Sequence, residues 1–542
     1  MKKISIVILS VFLVLFGIVK SLEWLIESKF EANLNANPNR AYDIKYTDFD
    51  LDTFFKGVTL DEIKITPLNH ANGNIITAEV DYARINGLVW LKLLTGQELQ
   101  INEITFERPI FEIVLSNDTI NKTSGKGMQD LFGDILSRIS LNSFCIKEGS
   151  VDFIDPNDQS IKGQIKHVNI LATEIVTDSL TSTYLIPFEM GNLSADIDSI
   201  SFKVNDYTNI TLNNLHYDLM EKEISLVDLS LNYSIDWLEV SKKIAVRKPI
   251  IEFHAKDINI LELEPSSQFY SKLDLIAQNL IINELDIKIH SNKNYDRPPD
   301  DVKPMFQGIV KSIPISISID SIELLNSKLT YKELGIAKNE TSQIEITKIN
   351  GLITDITNIP ELQLTKTEIE ANIDALILDE SDLNLALNIP YKKEIFSLEV
   401  DVGKLNLAAL NPTLSPMAGI EFVSGQMERL RYEMKAGALN SQNKLHFDYS
   451  DLRIHILNQK NKGKTRRLLS GIGNLAIKTN NLSTLKNYRV VEYLSERNIY
   501  RYPVNYILLG LIQGFTSIVP QKPMQKIMKR QPLQLTTLHN RN

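Results

Sequence analysis

The chain has 542 residues, of which 43% are hydrophobic and 23% charged, and its formal net charge is −9. This composition is ordinary for a folded protein and argues against wholesale disorder. The length exceeds what one hydrophobic core usually holds, so it predicts two to four modules or one elongated array. The acidic balance lacks the basic footprint of a nucleic-acid-binding protein, and we therefore expect no nucleic-acid partner.

An apolar segment near the N-terminus predicts a membrane anchor. Lys2 and Lys3 precede a mainly apolar run from Ile4 to Val19, and the apolar pattern continues past it through Trp24. This continuation favours a retained anchor over a cleaved signal peptide, which stays open as the alternative. Positive charge before the run predicts a cytoplasmic N-terminus, with the bulk of the chain across the membrane. We assign residues 1–27 to the anchor.

Beyond residue 40 the main signal is a two-residue alternation of apolar and polar residues. Ile315, Ile317 and Ile319, for example, are separated by polar residues. Such a pattern is typical of antiparallel strands that bury one face and expose the other, and long helices between the strands are mostly missing. The prediction is a mainly β protein, an elongated antiparallel strand-repeat array that is either β-groove or sandwich-like, with a few short amphipathic helices.

The chain also resembles itself, which indicates an internal duplication. Ile101–Ile104 recurs 181 positions later as Ile282–Leu285. A strand, a polar loop and a short amphipathic helix follow each copy, and the helices are predicted at Met128–Ile139 and Met305–Ile313. Chance similarity between alternating strands is the alternative.

Two further strand segments repeat in the same order. Leu141–Phe153 matches Ile319–Tyr331, and we expect each of these segments to turn at its central Glu-Gly or Asn-Ser pair. His167–Ile175 matches Lys348–Ile356. The predicted organisation is an anchor at 1–27, a first strand-repeat module at 28–180, an intermediate strand region at 181–281, a second, duplicated module at 282–440, C-terminal strands at 441–502, and an amphipathic helix with a basic tail at 503–542.

The C-terminal segment Pro503–Val519 is apolar over a wide arc of a helical wheel, which predicts an amphipathic helix. A basic tail follows it, with Lys522, Lys526, Lys529 and Arg530. The helix either caps the open end of the strand array, which we favour, or docks on a membrane.

No pattern of catalytic or ligand-binding residues stands out. The one cysteine, Cys145, has no histidine near it, and the eight histidines lack metal-ligand spacing. Two phosphate-loop look-alikes, at 463–465 and 471–476, lack the required glycine or helix. A basic loop with Lys460, Lys462, Lys464, Arg466 and Arg467 is either a solvated hairpin tip or a contact for anionic head groups. We therefore predict a non-enzyme with no catalytic, cofactor-binding or metal-binding residues and no cofactor.

Several segments resemble the AsmA superfamily of bacterial envelope proteins, including its domain-of-unknown-function branch. These segments are Trp24–Leu34, Tyr46–Leu51, Gly57–Ile65, Leu99–Ile113 and Phe396–Tyr432. The resemblance implies a single-pass inner-membrane anchor and a periplasmic β-groove that shields phospholipid tails. It also implies a role in phospholipid transport or outer-membrane biogenesis.

The partners expected from this resemblance are membrane phospholipids, with contacts to the outer membrane or to envelope proteins. One alternative is a non-catalytic scaffold for outer-membrane protein assembly, which would pair its sheet edges with client strands. An enzyme with an unrecognised site is a second alternative.

Overall fold

The computed structural model describes residues 16–18, 20–32, 42–52, 57–68, 75–89, 99–115, 139–176, 190–264, 274–335, 341–418, 420–456 and 477–521. The predicted mainly β fold is confirmed, because 23 strands belong to one sheet. The strands are β1 Tyr42–Lys45, β2 Asp48–Leu51, β3 Gly57–Pro67, β4 Ile75–Asn86, β5 Leu99–Glu107, β6 Ile110–Val114, β7 Ile139–Ile154, β8 Ile161–Thr173, β9 Asn192–Asn205, β10 Thr208–Leu212, β11 Asn214–Asp218, β12 Glu223–Tyr233, β13 Ile250–Leu263, β14 Asp274–Asn292, β15 Ser316–Leu334, β16 Thr341–Thr357, β17 Glu368–Ile377, β18 Ser381–Pro390, β19 Phe396–Val402, β20 Leu405–Asn406, β21 Ile420–Ala436, β22 Asn440–Ile456 and β23 Val490–Glu496.

Helices are few and short. They are α1 Trp237–Ile244, α2 Phe306–Lys311, α3 Asn411–Ala418 and α4 Pro503–Ile518, with 3-10 turns at Leu362–Leu364 and Leu407–Leu410 and a helical stretch at 20–32. The predicted helices at Met305–Ile313 and Pro503–Val519 are thus confirmed as α2 and α4. Of the helix predicted at Met128–Ile139, residues 128–138 lie outside the described part of the chain, and Ile139 begins β7.

The predicted anchor lies mostly outside the described residues, since 1–15 and 19 are not among them. Within the ranges given above, none of the helices combines the length and the hydrophobicity of a transmembrane span. The basic loop at 460–467 and the basic tail after residue 521 also lie outside the described residues.

The expectation of a purely antiparallel sheet is wrong. Most neighbouring strands are antiparallel, but β5 and β6 both run parallel to β7. Leu99 pairs with Ile139 and Ile110 with Ser150, so the partner lies 40 positions later in both strands. Parallel neighbours require a long crossover connection, which alternation along the sequence does not reveal.

The second copy repeats this parallel arrangement. The Oγ of Ser321 in β15 donates to Asn279 Oδ1 in β14 at 2.7 Å, and the Leu285 N–H in β14 donates to Ser327 Oγ in β15 at 3.3 Å. The partner again lies a constant distance along the chain, 42 positions later, which is the pattern of parallel strands. Parallel strand pairing, which the alternation in the sequence did not reveal, is therefore a feature of both copies.

The copies also share left-handed backbone positions in or directly after their strands. Three such residues in the first copy have counterparts in the second, with φ angles between 47° and 60°. They are Glu148 and Asn326, His167 and Lys348, and Glu174 and Asp355. Shared irregularities of this kind support the predicted duplication, because alternating strands that resemble each other by chance have no reason to share them.

The first of these positions corrects a prediction. The Glu-Gly and Asn-Ser pairs were expected to turn the chain, but each lies in one continuous strand, β7 or β15. An asparagine from the neighbouring strand caps each irregularity: the Glu148 N–H donates to Asn169 Oδ1 at 3.0 Å, and the Asn326 N–H donates to Asn350 Oδ1 at 2.9 Å. Each extra residue is thus a β-bulge, which bends the strand but does not reverse the chain as a turn does.

Replacing Asn350 with alanine is expected to destabilise the fold by about 1 kcal/mol, because the bulge loses a hydrogen bond that water only partly replaces. Urea unfolding followed by intrinsic tryptophan fluorescence measures this change. Asn384→Ala, at an exposed position of β18, is the control. Equal losses of stability in the two variants would count against a role of Asn350 in holding the bulge.

Contacts divide the chain into two compact units. The first comprises residues 1–229 and 260–274, and the second comprises 230–259 and 275–542. In the first unit, Ile26 and Phe30 of the N-terminal helical stretch are buried against β1–β4, and the Phe30 ring lies 5.8 Å from that of Phe49. The core of the second unit includes Tyr432, Tyr449, Leu445, Tyr506 and Ile518, so α4 forms part of it.

Candidate apolar binding face

Strand pairing in the first unit gathers apolar side chains into rows. The rows, which we call the apolar face, are Phe144, Ala172 and Leu193; Ile146, Ile170, Ala195, Tyr217 and Ile224; Gly149, Val168, Ile197, Leu215 and Leu226; Val151, Ile165, Ile200 and Leu212; and Phe153, Gly163, Phe202 and Ile210. Residues paired across neighbouring strands project to the same side of a sheet. The rows therefore form one surface that extends from β7 to β12.

A bulge keeps this surface continuous. Val168 and Ile165 are three positions apart, a spacing that would place them on opposite faces of a regular strand. His167, with φ 51°, adds one residue to β8 opposite the step from Gly149 to Ser150 in β7. Because the extra residue restores the alternation, Val168 and Ile165 stay on the same face.

A glycine shapes the far end of the face. A Cβ on Gly163 would lie 2.4 Å from the Phe202 ring, which covers this position, and the rings of Phe202 and Phe153 are 6.2 Å apart. Only glycine leaves room for an aromatic ring across the strand here. The surface at this end is consequently aromatic, with the two rings edge to face.

The apolar face is open over much of its area. Ala172 and Val168 are buried, but Ile165, Ile197 and Ile200 are only half-buried, and Phe202 is 36% exposed. Among the described helices, α2, α3 and α4 pack on strands of the second unit between β16 and β23. A contiguous, partly exposed apolar surface that spans several strands commonly marks a binding site.

In the second unit a helix covers part of the sheet. Helix α4 lies on β22 and β23, and its inward residues Tyr506, Gly510, Gly514 and Ile518 are buried. The Tyr493 hydroxyl donates to the Gly510 carbonyl at 2.6 Å. The helix therefore covers sheet core in this unit, whereas a cap on the open end of the strand array stays a prediction. Its outer residues, Leu508 among them at 51%, stay exposed.

The opposite face of the first unit's sheet is polar. His167 Nδ1 lies 2.8 Å from Asp198 Oδ2, and His216 Nδ1 lies 2.7 Å from Asp196 Oδ1. The hydrogen bond with Asp196 raises the pKa of His216. These exposed polar pairs are solvated, so the sheet has one polar and one apolar face. An apolar ligand is therefore expected on the apolar face.

None of the residues considered for chemistry forms a reactive site in the described residues. Cys145 is half-buried in β7, and burial raises the pKa of its thiol, which is the opposite of what an activated nucleophile needs. In the described ranges, no group of three histidine, cysteine, aspartate or glutamate side chains is placed to hold a metal ion. The look-alike loop at 463–465 falls outside them, as does 471–476.

Comparison of the chain with known protein families and with curated proteins found no match. The AsmA resemblance consequently remains an expectation from the sequence segments quoted above. The function has to be argued from the apolar face itself.

The sequence could have identified the members of this face but not their assembly. Apolar residues at alternate positions of β7, β8 and β9 are visible in the sequence. Which rows they form depends on the bulges at Glu148 and His167, and nothing in the local sequence marks either residue as left-handed.

Proposed function

We propose that the protein is a membrane-anchored, AsmA-like envelope protein that binds lipid acyl chains on the apolar face and takes part in phospholipid transport or outer-membrane biogenesis. The half-exposed apolar face supports the binding step most directly. Each methylene group that leaves water for such a surface contributes about 0.8 kcal/mol, so a chain of several methylenes binds without any polar contact. No catalytic residue is part of this proposal.

The location belongs to the proposal as well. The apolar run Ile4–Val19 of the predicted anchor would cross the inner membrane once, with a cytoplasmic N-terminus and a periplasmic strand-rich body. Ile26, at the end of the segment assigned to the anchor, packs instead in the core of the first unit. The arguments for this topology are the lysines before the apolar run and the apolar continuation after it. Fractionation of cells followed by N-terminal sequencing of the recovered protein tests it, since a start after about residue 20 would indicate a cleaved signal peptide.

Replacing Ile200 with aspartate is expected to reduce lipid binding by the purified full-length chain about tenfold, because a carboxylate beside an acyl chain must lose water without gaining a partner. Lipid is extracted from the protein and quantified by mass spectrometry. Ser199→Asp is the matched control, since it places the same charge on the adjacent residue of β9, which faces away from Ile200. Equal amounts of lipid in both variants would contradict the proposed binding face.

A scaffold for outer-membrane protein assembly is the second candidate. Strand β23 pairs with β22, and its Leu494 side chain is 66% exposed, a combination that would suit a client strand added at this edge. A scaffold carries no stoichiometric phospholipid. Native mass spectrometry of the purified chain therefore separates the candidates, and a lipid-free protein that captures client strands would favour the scaffold.

A further inference from the structure

Cationic side chains from separate segments converge in the second unit. Arg247 follows α1, Arg297 lies in the loop after β14, and Arg501 precedes α4. Backbone hydrogen bonds hold the segments together: the Arg247 N–H donates to the Asp296 carbonyl at 2.8 Å, and the Lys303 N–H donates to the Ile499 carbonyl at 2.8 Å. The segments that carry the three arginines therefore lie next to one another.

Glu333 is the buried carboxylate of this region, and its oxygens already contact other groups. Glu333 is 4% exposed and lies 3.8 Å from the Arg247 guanidinium. It also contacts the Lys293 ammonium group and accepts a hydrogen bond from the Tyr331 hydroxyl at 2.8 Å. Glu333 therefore has little capacity left to balance the other two arginines.

Arg297 and Arg501 are poorly neutralised. The closest carboxylate to Arg501 is that of Asp300, at 4.0 Å and largely exposed, and Arg297 forms no ion pair within the described part of the chain. The Arg501 Nε is buried and has no acceptor among the described residues. Burial and the charges of Arg247 and Arg501 lower the pKa of Arg297, as expected for cations held near one another.

The N-terminus of α4 adds positive potential next to Arg501. Tyr502 is its cap residue and makes no side-chain capping bond, Pro503 begins the helix, and the first turn has no acidic residue. Pro503 has no N–H and the Asn505 N–H donates to the Tyr502 carbonyl at 3.0 Å, so the Val504 N–H is the donor that the first turn leaves for a ligand. The helix dipole also favours an anion at this end. Two independent features thus favour an anion at the same place.

We propose that Arg247, Arg297 and Arg501, together with the N-terminus of α4, bind a phosphate group. Arginine suits this ligand because its planar guanidinium donates two parallel hydrogen bonds to phosphate oxygens. Free phosphate and the phosphate of a lipid head group present the same oxygens to the site. The proposal does not depend on acyl-chain binding by the first unit.

The test uses the purified full-length chain in an uncharged detergent at low ionic strength. Inorganic phosphate and dihexanoyl phosphatidic acid are titrated separately by calorimetry. We expect saturable binding of at least one probe, with one probe bound per chain. Arg297→Gln is expected to weaken binding about tenfold and the Arg297→Gln, Arg501→Gln double variant about a hundredfold, in line with lost charge-assisted hydrogen bonds.

Lys248→Gln is the control, because it removes an exposed cation from the segment that carries Arg247. Saturation by inorganic phosphate assigns a soluble phosphate ligand, whereas binding of the lipid probe alone assigns a head group. The proposal is overturned if neither probe saturates, or if Arg297→Gln and Lys248→Gln weaken binding equally. Circular dichroism verifies that the Arg297→Gln variant is folded.

Discussion

Replacing Gly510 with leucine is expected to destabilise the second unit by about 3 kcal/mol, the upper range for overpacking. A Cβ at this position would lie 2.4 Å from the Tyr432 hydroxyl and 3.2 Å from Asn443 Oδ1. Neither group can withdraw easily, since the Tyr432 hydroxyl donates to Asn443 Oδ1 at 2.7 Å inside the core. Helix α4 would have to lift off the sheet to admit the larger side chain.

The sign of this effect is informative because helix propensity acts the other way. Leucine favours a helix over glycine by nearly 1 kcal/mol, so an exposed glycine would become more stable on replacement. Urea unfolding followed by circular dichroism gives the free energy. Leu508→Ala, on the exposed side of α4, should change it by no more than about 0.5 kcal/mol. An unchanged or raised stability of Gly510→Leu would show that α4 does not pack as described.

Acidification from pH 7 to pH 4 is expected to remove about 3 kcal/mol of stability through His290 alone. This side chain is 3% exposed and stacks on Trp237, with ring centroids 5.0 Å apart. Glu252 Oε1 lies 3.3 Å from its Nε2, but neither ring nitrogen forms a hydrogen bond among the described residues. Burial, with a smaller contribution from Lys332, lowers the pKa of His290 to about 4.

The sign follows from proton binding. The unfolded chain takes up a proton on this histidine near pH 6.5, whereas the folded chain resists it until about pH 4. Stability is therefore fully present above pH 6.5 and falls as the pH drops towards 4. His290→Phe keeps the stacking and removes the titration, so its stability should depend less on pH by the same amount.

Urea unfolding at pH 7, 5.5 and 4, followed by circular dichroism, measures this dependence. His446→Phe removes a different histidine of the same unit and serves as the control. If the wild-type chain and His290→Phe lose the same stability on acidification, the imidazole is not held neutral in the fold.

The strand content and α4 were predictable because each depends on short-range periodicity. Ile317 and Ile319 are buried in β15 as predicted, although Ser318 between them is buried too and Ile315 is 38% exposed. Pro503 begins α4, as proline at a first helical position should. The open face of the first unit was not predictable in the same way. Half-buried and buried strands have the same alternation of apolar and polar residues. The positions of the helices on the strands show which surfaces are covered, and the alternation does not give these positions.

The parallel pairing and the bulges escaped the sequence for a different reason. Pairing direction depends on where a partner 40 positions away arrives, not on the residues of the strand itself. The proposed phosphate site is harder still to predict from the sequence. Arg247 and Arg501 are separated by most of the second unit, and neither belongs to a recognisable motif. The dense basic run that a sequence search for an anion site detects lies in the loop at 460–467.

The parallel strands also set an order for synthesis and folding. Strands β7 and β8 meet at Ile154 and Ile161, so they can join as soon as both have been made, whereas β5 has no partner in β7 until about 40 more residues follow it. The same delay recurs at β14 and β15. For that interval each copy presents an unpaired strand edge to other chains, so newly made protein is expected to need protection from aggregation twice.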